Sequence, residues 1–407
     1  EQTGVYGALA SRYFLSDDAY GSFTSVYDWL DHKLYLPDLP VGRIVETPTE
    51  ITFAVAQTIA SGAVLNTGTI TDYTGFVTGY DFLTDGAQQI AVALADNFGP
   101  GSTTPLINDT WDAIEFEDAL FPATGSDRIL SLNAHFDHFR LVPAEENFPS
   151  SPDDPPLLTT DEALFDTSEL PPVPGGLEGR LALSVGCHAG LNVPDGFTLP
   201  GGASTTDWAQ AFTARGAVFV ANTGFGYGLD GAVGLSEELM VRFAQGLDGS
   251  FTIGDALVNA KQRQFDSQLV YGPYDEKALG EATLYGFPFY RLTAAAPTGT
   301  PPPAAPPAGP FSLVPNFEPQ STAANGDYYP TDGESEALHS RPIQPVQVLA
   351  YSGSGGERVT GVLIRQLTSP DDANFDVAFA RPIFDDATRE PELETAGTIF
   401  PSTFASV

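Results

Sequence analysis

The sequence predicts an α/β domain whose mostly parallel sheet is flanked by helices, followed by a proline-rich linker and a small β-rich domain. Three observations carry this expectation. Across residues 1–293 short apolar runs alternate with helix-period segments, the pattern of parallel strands joined by crossover helices. Residues 294–310 read AAAPTGTPPPAAPPAGP, a polyproline-type spacer that cannot join a core. Beyond it, residues 311–407 carry β-type runs such as Val346–Tyr351 and Val359–Leu367.

Within the first domain, strands are expected at Gly75–Tyr80, Arg128–Ala134, Arg180–Gly186 and Ala217–Asn222. Each is a short apolar run of the kind that is buried on both faces of a parallel sheet. Helices are expected at Thr49–Ser61, Gly86–Asn97, Thr206–Arg215, Ser236–Gln245 and Gly254–Phe265. The fourth places Leu239, Met240, Phe243 and Leu247 at helical spacing, with Ser236 as N-cap and Glu237 and Glu238 in the first turn. The stretch 147–174 is rich in Pro and Asp and reads as a long surface loop.

Composition narrows the function. The 407 residues include 53 acidic and 17 basic ones, a formal net charge of -36. Such a chain repels phosphate backbones, so nucleic acid is not an expected partner. The acidity suits a secreted protein, a salt-tolerant one, a carboxylate-based Ca²⁺ binder, or simple solubility. No apolar run approaches the roughly 18 residues that span a bilayer. The chain does not begin with Met, so Glu1 is expected to start a processed or trimmed product; the apolar close at Val407 suggests that the native protein continues. Lys33, Lys261 and Lys277 are the only lysines. Cys187 is the only cysteine, which excludes an intrachain disulfide and a thiolate-rich metal site. A lone thiol of this kind is either a buried small hydrophobe or a nucleophile.

Two of the expected strands deliver reactive residues. One runs Ile129-Leu-Ser-Leu-Asn-Ala-His135, followed by Phe136-Asp137-His138; the other runs Leu181-Ala-Leu-Ser-Val-Gly-Cys187, followed by His188-Ala-Gly190. Both place their polar residue just past a strand's C-terminal end, where open α/β sheets bind ligands. A thiol needs an imidazole nearby, either to raise its reactivity or to protonate a leaving amine. The backbone N–H groups of Cys187 and Phe136 are candidate oxyanion donors. His138 competes with His135 for the role of partner. His188, adjacent to the thiol, points to the opposite face. The His135-x-x-His138 spacing alone is a weak zinc signal.

These segments resemble those of the gingipain-type cysteine peptidases, a caspase-like family of secreted bacterial enzymes. Ser184-Val-Gly-Cys187-His-Ala-Gly190 is similar to the nucleophile segment, and Ile129–His135 to the strand leading to the catalytic histidine. Leu36–Arg43 and Thr283–Pro288 are similar to two flanking segments, in the same order. His135 precedes Cys187 by 52 positions, near the caspase spacing of about 50. The resemblance covers residues 12–292 and implies a secreted or cell-surface endopeptidase acting on protein or peptide substrates. By position it implies that Asp81 orients the histidine and that Asp85 binds a P1 arginine as a carboxylate partner. It implies no cofactor for the chemistry and a possible structural Ca²⁺. The resemblance places the chain's start well inside the family pattern, so the N-terminal strands are expected on a cleaved segment of the same precursor. Phe136 replaces a glycine there and is expected to crowd the cleft, and Gly286-Phe-Pro288 departs from Gly-Asp-Pro. A catalytically inactive surface or structural protein that keeps the fold is the alternative.

Overall fold

The computed structural model describes residues 13–29, 32–122, 127–146, 164–171, 176–192, 206–229, 232–268, 271, 273–294, 339–342, 346–352 and 359–366. The linker beyond residue 294 and most of the expected loop at 147–174 lie outside them. The frame is one sheet with strands β1 (Val41–Ile44), β2 (Gly75–Gly79), β3 (Thr103–Ile107), β4 (Ile129–Ser131), β5 (Leu181–Ser184), β6 (Val218–Asn222), β7 (Ala282–Tyr285), β8 (Val346–Ser352) and β9 (Val359–Gln366). Their order is β8-β9-β1-β7-β6-β5-β4-β2-β3. Strands β6, β5, β4, β2 and β3 run parallel; β7 is antiparallel to β6 and parallel to β1. The architecture is therefore mixed α/β with a mostly parallel sheet, as the sequence predicts. The two C-terminal runs form a hairpin whose strand β9 lies parallel to β1 and extends that sheet.

Helices α1 (Pro48–Ser61), α2 (Thr84–Phe98), α3 (Ala113–Leu120), α4 (Trp208–Thr213), α5 (Leu235–Gln245), α6 (Ile253–Ser267) and α7 (Pro273–Glu281) surround it. Strand side chains alternate between two cores, as a two-faced sheet requires. Val77, Leu181, Leu183, Val218 and Val220 join one with α2, α5 and α6. Phe76, Leu130, Ala182, Phe219 and Ala221 join the other with Trp111, Phe116, Trp208 and Phe212. Helix α1 starts in a full capping box between Thr47 and Glu50. Helix α5 does not start as expected: its N-cap is Gly234, and Ser236 lies inside the first turn, where Oγ accepts the Tyr227 N–H at 3.1 Å. The serine ties down a loop instead of capping its helix. Among the described residues, no helix is long and apolar enough to cross a membrane.

Two of the segments on which the resemblance rests meet in space. Gly286 donates its N–H to the Arg43 carbonyl at 2.7 Å, and a Cβ on Gly42 would lie 2.3 Å from the Gly286 oxygen. Only a glycine allows that approach. Arg43 itself is fully buried and forks onto the buried carboxylate of Asp17, with Nε–Oδ2 at 2.9 Å and Nη2 on Oδ1. Nearby, Asp38 accepts bonds from the backbone or hydroxyl groups of Phe23, Thr24 and Ser25. These bonds outweigh burial and hold its carboxyl below the ordinary range. Arg43→Met should cost about 3–5 kcal/mol in urea unfolding, because Asp17 is then buried without its cation. Adding Asp17→Asn to that variant should restore part of the loss.

Candidate active site

Strands β2, β4 and β5 are parallel neighbours, so the segments leaving their C-terminal ends emerge side by side. The three carry Asp81, His135 and Cys187. One buried amide fixes their relative heights. Asn133 Nδ2 donates to the Thr78 carbonyl at 3.0 Å and to Ser131 Oγ at 2.9 Å, while its N–H reaches Thr78 Oγ1 at 2.8 Å. Its Oδ1 accepts the Val185 N–H at 3.2 Å. Asn222 Nδ2 takes the Val185 carbonyl at 2.9 Å. The peptide two residues before the thiol is thus gripped from both sides.

Asp81 follows β2 with φ +52°, and its N–H donates to Asp109 Oδ1 at 3.0 Å. Its Oδ2 lies 3.4 Å from His135 Nε2, both side chains being partly open to solvent. His135 lies on the edge strand of a small three-stranded antiparallel sheet, paired through His135–Val142 and Phe136–Leu141, in which it faces outward and Phe136 inward. The Tyr80 hydroxyl accepts the His135 N–H at 3.0 Å and donates to the Val142 carbonyl at 2.7 Å. Rings of Tyr80 and Phe82 flank the imidazole at 5.6 and 5.7 Å. The structure therefore brings Asp81 and His135 together.

Phe136 does not crowd the cleft. It is buried, packs edge-on to Trp208 at 5.4 Å, and lies where a Cβ on Gly186 would meet it at 2.3 Å. Strand alternation explains the difference: with His135 turned out, its neighbour turns into the core. His138 is buried in the hairpin turn against Phe139, at 4.7 Å. Burial pushes its imidazole down to about 4, opposed by Asp137 and reinforced by Arg140. His188 adopts φ +56°, turns away from the cleft onto Phe225 at 4.5 Å, and is pushed by burial to about 3. Of the three histidines at this edge, His135 alone combines partial exposure with a carboxylate contact.

Cys187 is half-buried, and its S–H donates to the Gly226 carbonyl at 3.8 Å. Only the protonated thiol can make that bond. Burial pushes the thiol up to about 11; Glu281 adds to the rise and Lys277 opposes it. No hydrogen bond joins the thiol to His135. A negative charge at Cys187 would raise the Tyr80 phenol further, so the two side chains stand within electrostatic reach.

Asp85 sits half-buried in the first turn of α2, where its Oδ1 accepts the Gly86 N–H at 3.0 Å. It closes one end of a groove between α2 and α5 that Gln89, Val92, Val241 and Gln245 line. Beside it lies Glu237, an acid in the first turn of α5. Glu237 is fully buried, accepts the Leu229 N–H at 3.3 Å with Oε2, and leaves Oε1 without a hydrogen-bond partner. A Cβ on Gly86 or Gly228 would lie 2.6 Å from one of its oxygens. Burial pushes its carboxyl up to about 8, and the Asp85 charge adds to this.

Among the described residues no three His, Cys, Asp or Glu side chains converge as a metal site. Asp207 and Glu46 approach one another, but the Asn192 amide bridges them at 2.7 and 3.0 Å.

No protein-family model matches the chain, and no curated protein matches its sequence. Solved structures match it at the level of the fold. The Arg-specific cysteine proteinase gingipain R is 13% identical, with 68% of this chain and 59% of that chain covered and a TM-score of 0.44. The complex of Porphyromonas gingivalis RgpB pro- and mature domains gives 13%, 68%, 60% and 0.42. A third structure, described as a protease, gives 11%, 68%, 59% and 0.39. This chain thus spans under two thirds of each of those proteins. At these values no family membership follows.

Two measurements check the site's construction. Asn133→Ala should lower stability by about 3 kcal/mol in urea unfolding, since it strips partners from buried groups on three strands. The second concerns Glu237. Its folded carboxyl stays protonated up to about pH 8, whereas the unfolded chain loses that proton near pH 4.5. Its contribution to stability therefore falls as pH rises through that window. Glu237→Gln should show a shallower decline in urea midpoint between pH 5 and pH 8 than the parent protein.

Proposed function

We propose that the protein is a cysteine endopeptidase that cleaves protein or peptide chains by acyl-enzyme chemistry. The observation that carries this is the Asp81–His135 contact at the strand edge where Cys187 also emerges. In the proposed reaction, Cys187 Sγ attacks the scissile carbonyl, and the S–H proton passes through His135 to the leaving amine. Water then hydrolyses the thioester and regenerates the thiol. Asp81 holds the imidazole in place at 3.4 Å. The Cys187 and Phe136 N–H groups receive the oxyanion. Asp137 and Arg140 close the hairpin with an N–H···O bond of 3.0 Å. Phe136 and Leu141 are then the next, non-bonded pair, whose N–H groups face away from the partner strand. Asp85 is proposed to pair with a P1 arginine, at a secreted or cell-surface location. The acidic composition is compatible with that location.

A second reading rests on the thiol. Its bond to Gly226 and its upward shift to about 11 favour a resting, unreactive sulfur. They support a catalytically inactive surface or structural protein. Fluorogenic peptides with Arg, Lys or Asp at P1 decide between the two. Under the peptidase reading the Arg peptide is turned over and Cys187→Ala abolishes turnover. His135→Ala should reduce it by about 10²–10⁴-fold. Asp81→Asn should reduce it about fivefold, the scale of a half-exposed ion pair worth about 1 kcal/mol. Equal turnover by the Cys187→Ala protein would sink the mechanism.

A further inference from the structure

The loop 223–228 that follows β6 is clamped between the nucleophile segment and a buried ion pair. On one side it accepts the His188 N–H at the Gly224 carbonyl, 2.6 Å, and the Cys187 S–H at the Gly226 carbonyl. A Cβ on Gly226 would lie 1.7 Å from the Val185 oxygen, so this contact is as tight as backbone allows. On the other side, a Cβ on Gly224 would lie 2.3 Å from Glu281 Oε1. Lys277 Nζ donates to Tyr227 Oη at 2.7 Å, sits 5.6 and 5.1 Å from the Phe225 and Tyr227 ring centroids, and stands 3.6 Å from Glu281 Oε1. Both members of the pair are fully buried.

Burying an ammonium and a carboxylate is costly, and such pairs seldom add net stability. The placement is more telling in a chain with only three lysines, one of which packs on Phe225 and Tyr227, the residues that flank the carbonyl taken by its only thiol. A protonated thiol is satisfied by the Gly226 carbonyl, but a thiolate there needs positive charge within reach. The charged or titratable groups that act on or with Cys187 are Lys277 and Glu281 from α7 and Tyr80 from the end of β2, and His188 is its neighbour in the chain. Lys277 and Glu281 act on the sulfur with opposite signs.

We propose that Lys277 is a positioning residue that stabilises the Cys187 thiolate from behind the loop 223–228, and that Glu281 is its counterweight, favouring the protonated resting thiol. This rests on Cys187 being the nucleophile, yet its test needs no substrate turnover. The rate of Cys187 alkylation by iodoacetamide is measured in the full chain at pH 8.5, above the value of about 8 to which burial pushes Glu281. Lys277→Met should slow labelling about tenfold, one pKa unit, and Glu281→Gln should accelerate it by a similar factor. Lys277→Arg should stay near the parent rate. A purely structural role would move both neutral variants in the same direction, because each breaks the same buried pair. Same-direction shifts, or changes below about twofold in folded variants, overturn the proposal. Should Lys277→Met fail to fold, Glu281→Gln decides alone: acceleration supports the proposal, and an unchanged or slower rate overturns it. Opposed shifts in a protein that hydrolyses no peptide would remove the peptidase reading and leave this inference standing. Hydrolysis with unshifted labelling would do the reverse.

Discussion

The hydrogen bonds of Asn133 are the constraint on which the rest of this edge depends. Parallel strands are joined through crossovers and have no tight turn to set their register. Here the strands that lead to Asp81, His135 and Cys187 are locked together by one amide that reaches Thr78, Ser131 and Val185. A buried polar group of this kind is worth little unless fully satisfied, and it specifies one arrangement when it is. Asn133 uses both ends of its side chain and its own N–H, and Asn222 completes the grip on Val185. The ends of the three strands are therefore held in one register, side by side at one edge of the sheet.

Around that node the protein uses buried charge sparingly. A surface with net charge -36 leaves few cations for the interior. Three of those inside are matched to a carboxylate, Arg43 to Asp17, Lys261 to Asp18 at 2.6 Å, and Lys277 to Glu281, whereas Arg215 donates to the Pro171, Ala211 and Leu170 carbonyls. Asp18 shows how close the balance is. Burial raises its carboxyl to about 6 even with the Lys261 ammonium beside it lowering it. Two of the three lysines are thus consumed in the interior, and the scarcity of lysine at the surface follows from the same composition.

The parts of the fold that were legible in the sequence are those decided by local pattern. The strands leading to the candidate site read as apolar runs because both faces are buried, and their observed ends fall within three residues of the expected ones. Helix periods were equally plain. Ser236 misled because a serine ahead of two glutamates satisfies the capping pattern, while its hydroxyl is taken by a loop nine residues upstream. Strand β7 was visible only as a motif, since four residues flanked by glycine carry little periodicity, and its antiparallel entry beside β6 is a tertiary choice. Phe136 was read as an obstruction because sequence alone does not say which way a side chain faces after a strand ends.

The candidate site was legible where chemistry is rare and illegible where it is common. One cysteine and five histidines leave few combinations, and strand-end placement pointed to Cys187 with His135 and His138 as rival partners. Among 53 acidic residues no single carboxylate stands out, so Glu237 and Glu281 carried no signal. What distinguishes them is burial against glycine backbones, at Gly86 and Gly228 for one and Gly224 for the other. That property belongs to pairs of distant segments. The same holds for the thiol. Its strand is written in the sequence, but the groups that act on it are a carbonyl at residue 226 and an ion pair about 90 residues downstream, in a low-dielectric setting where each charge counts for more than it would in water. A thiol with nearby charges of both signs is poised by their difference, so small changes in the loop 223–228 are amplified at sulfur. The glycines of that loop, packed against Val185 and Glu281, therefore bear on the surroundings of the sulfur as directly as the side chains do.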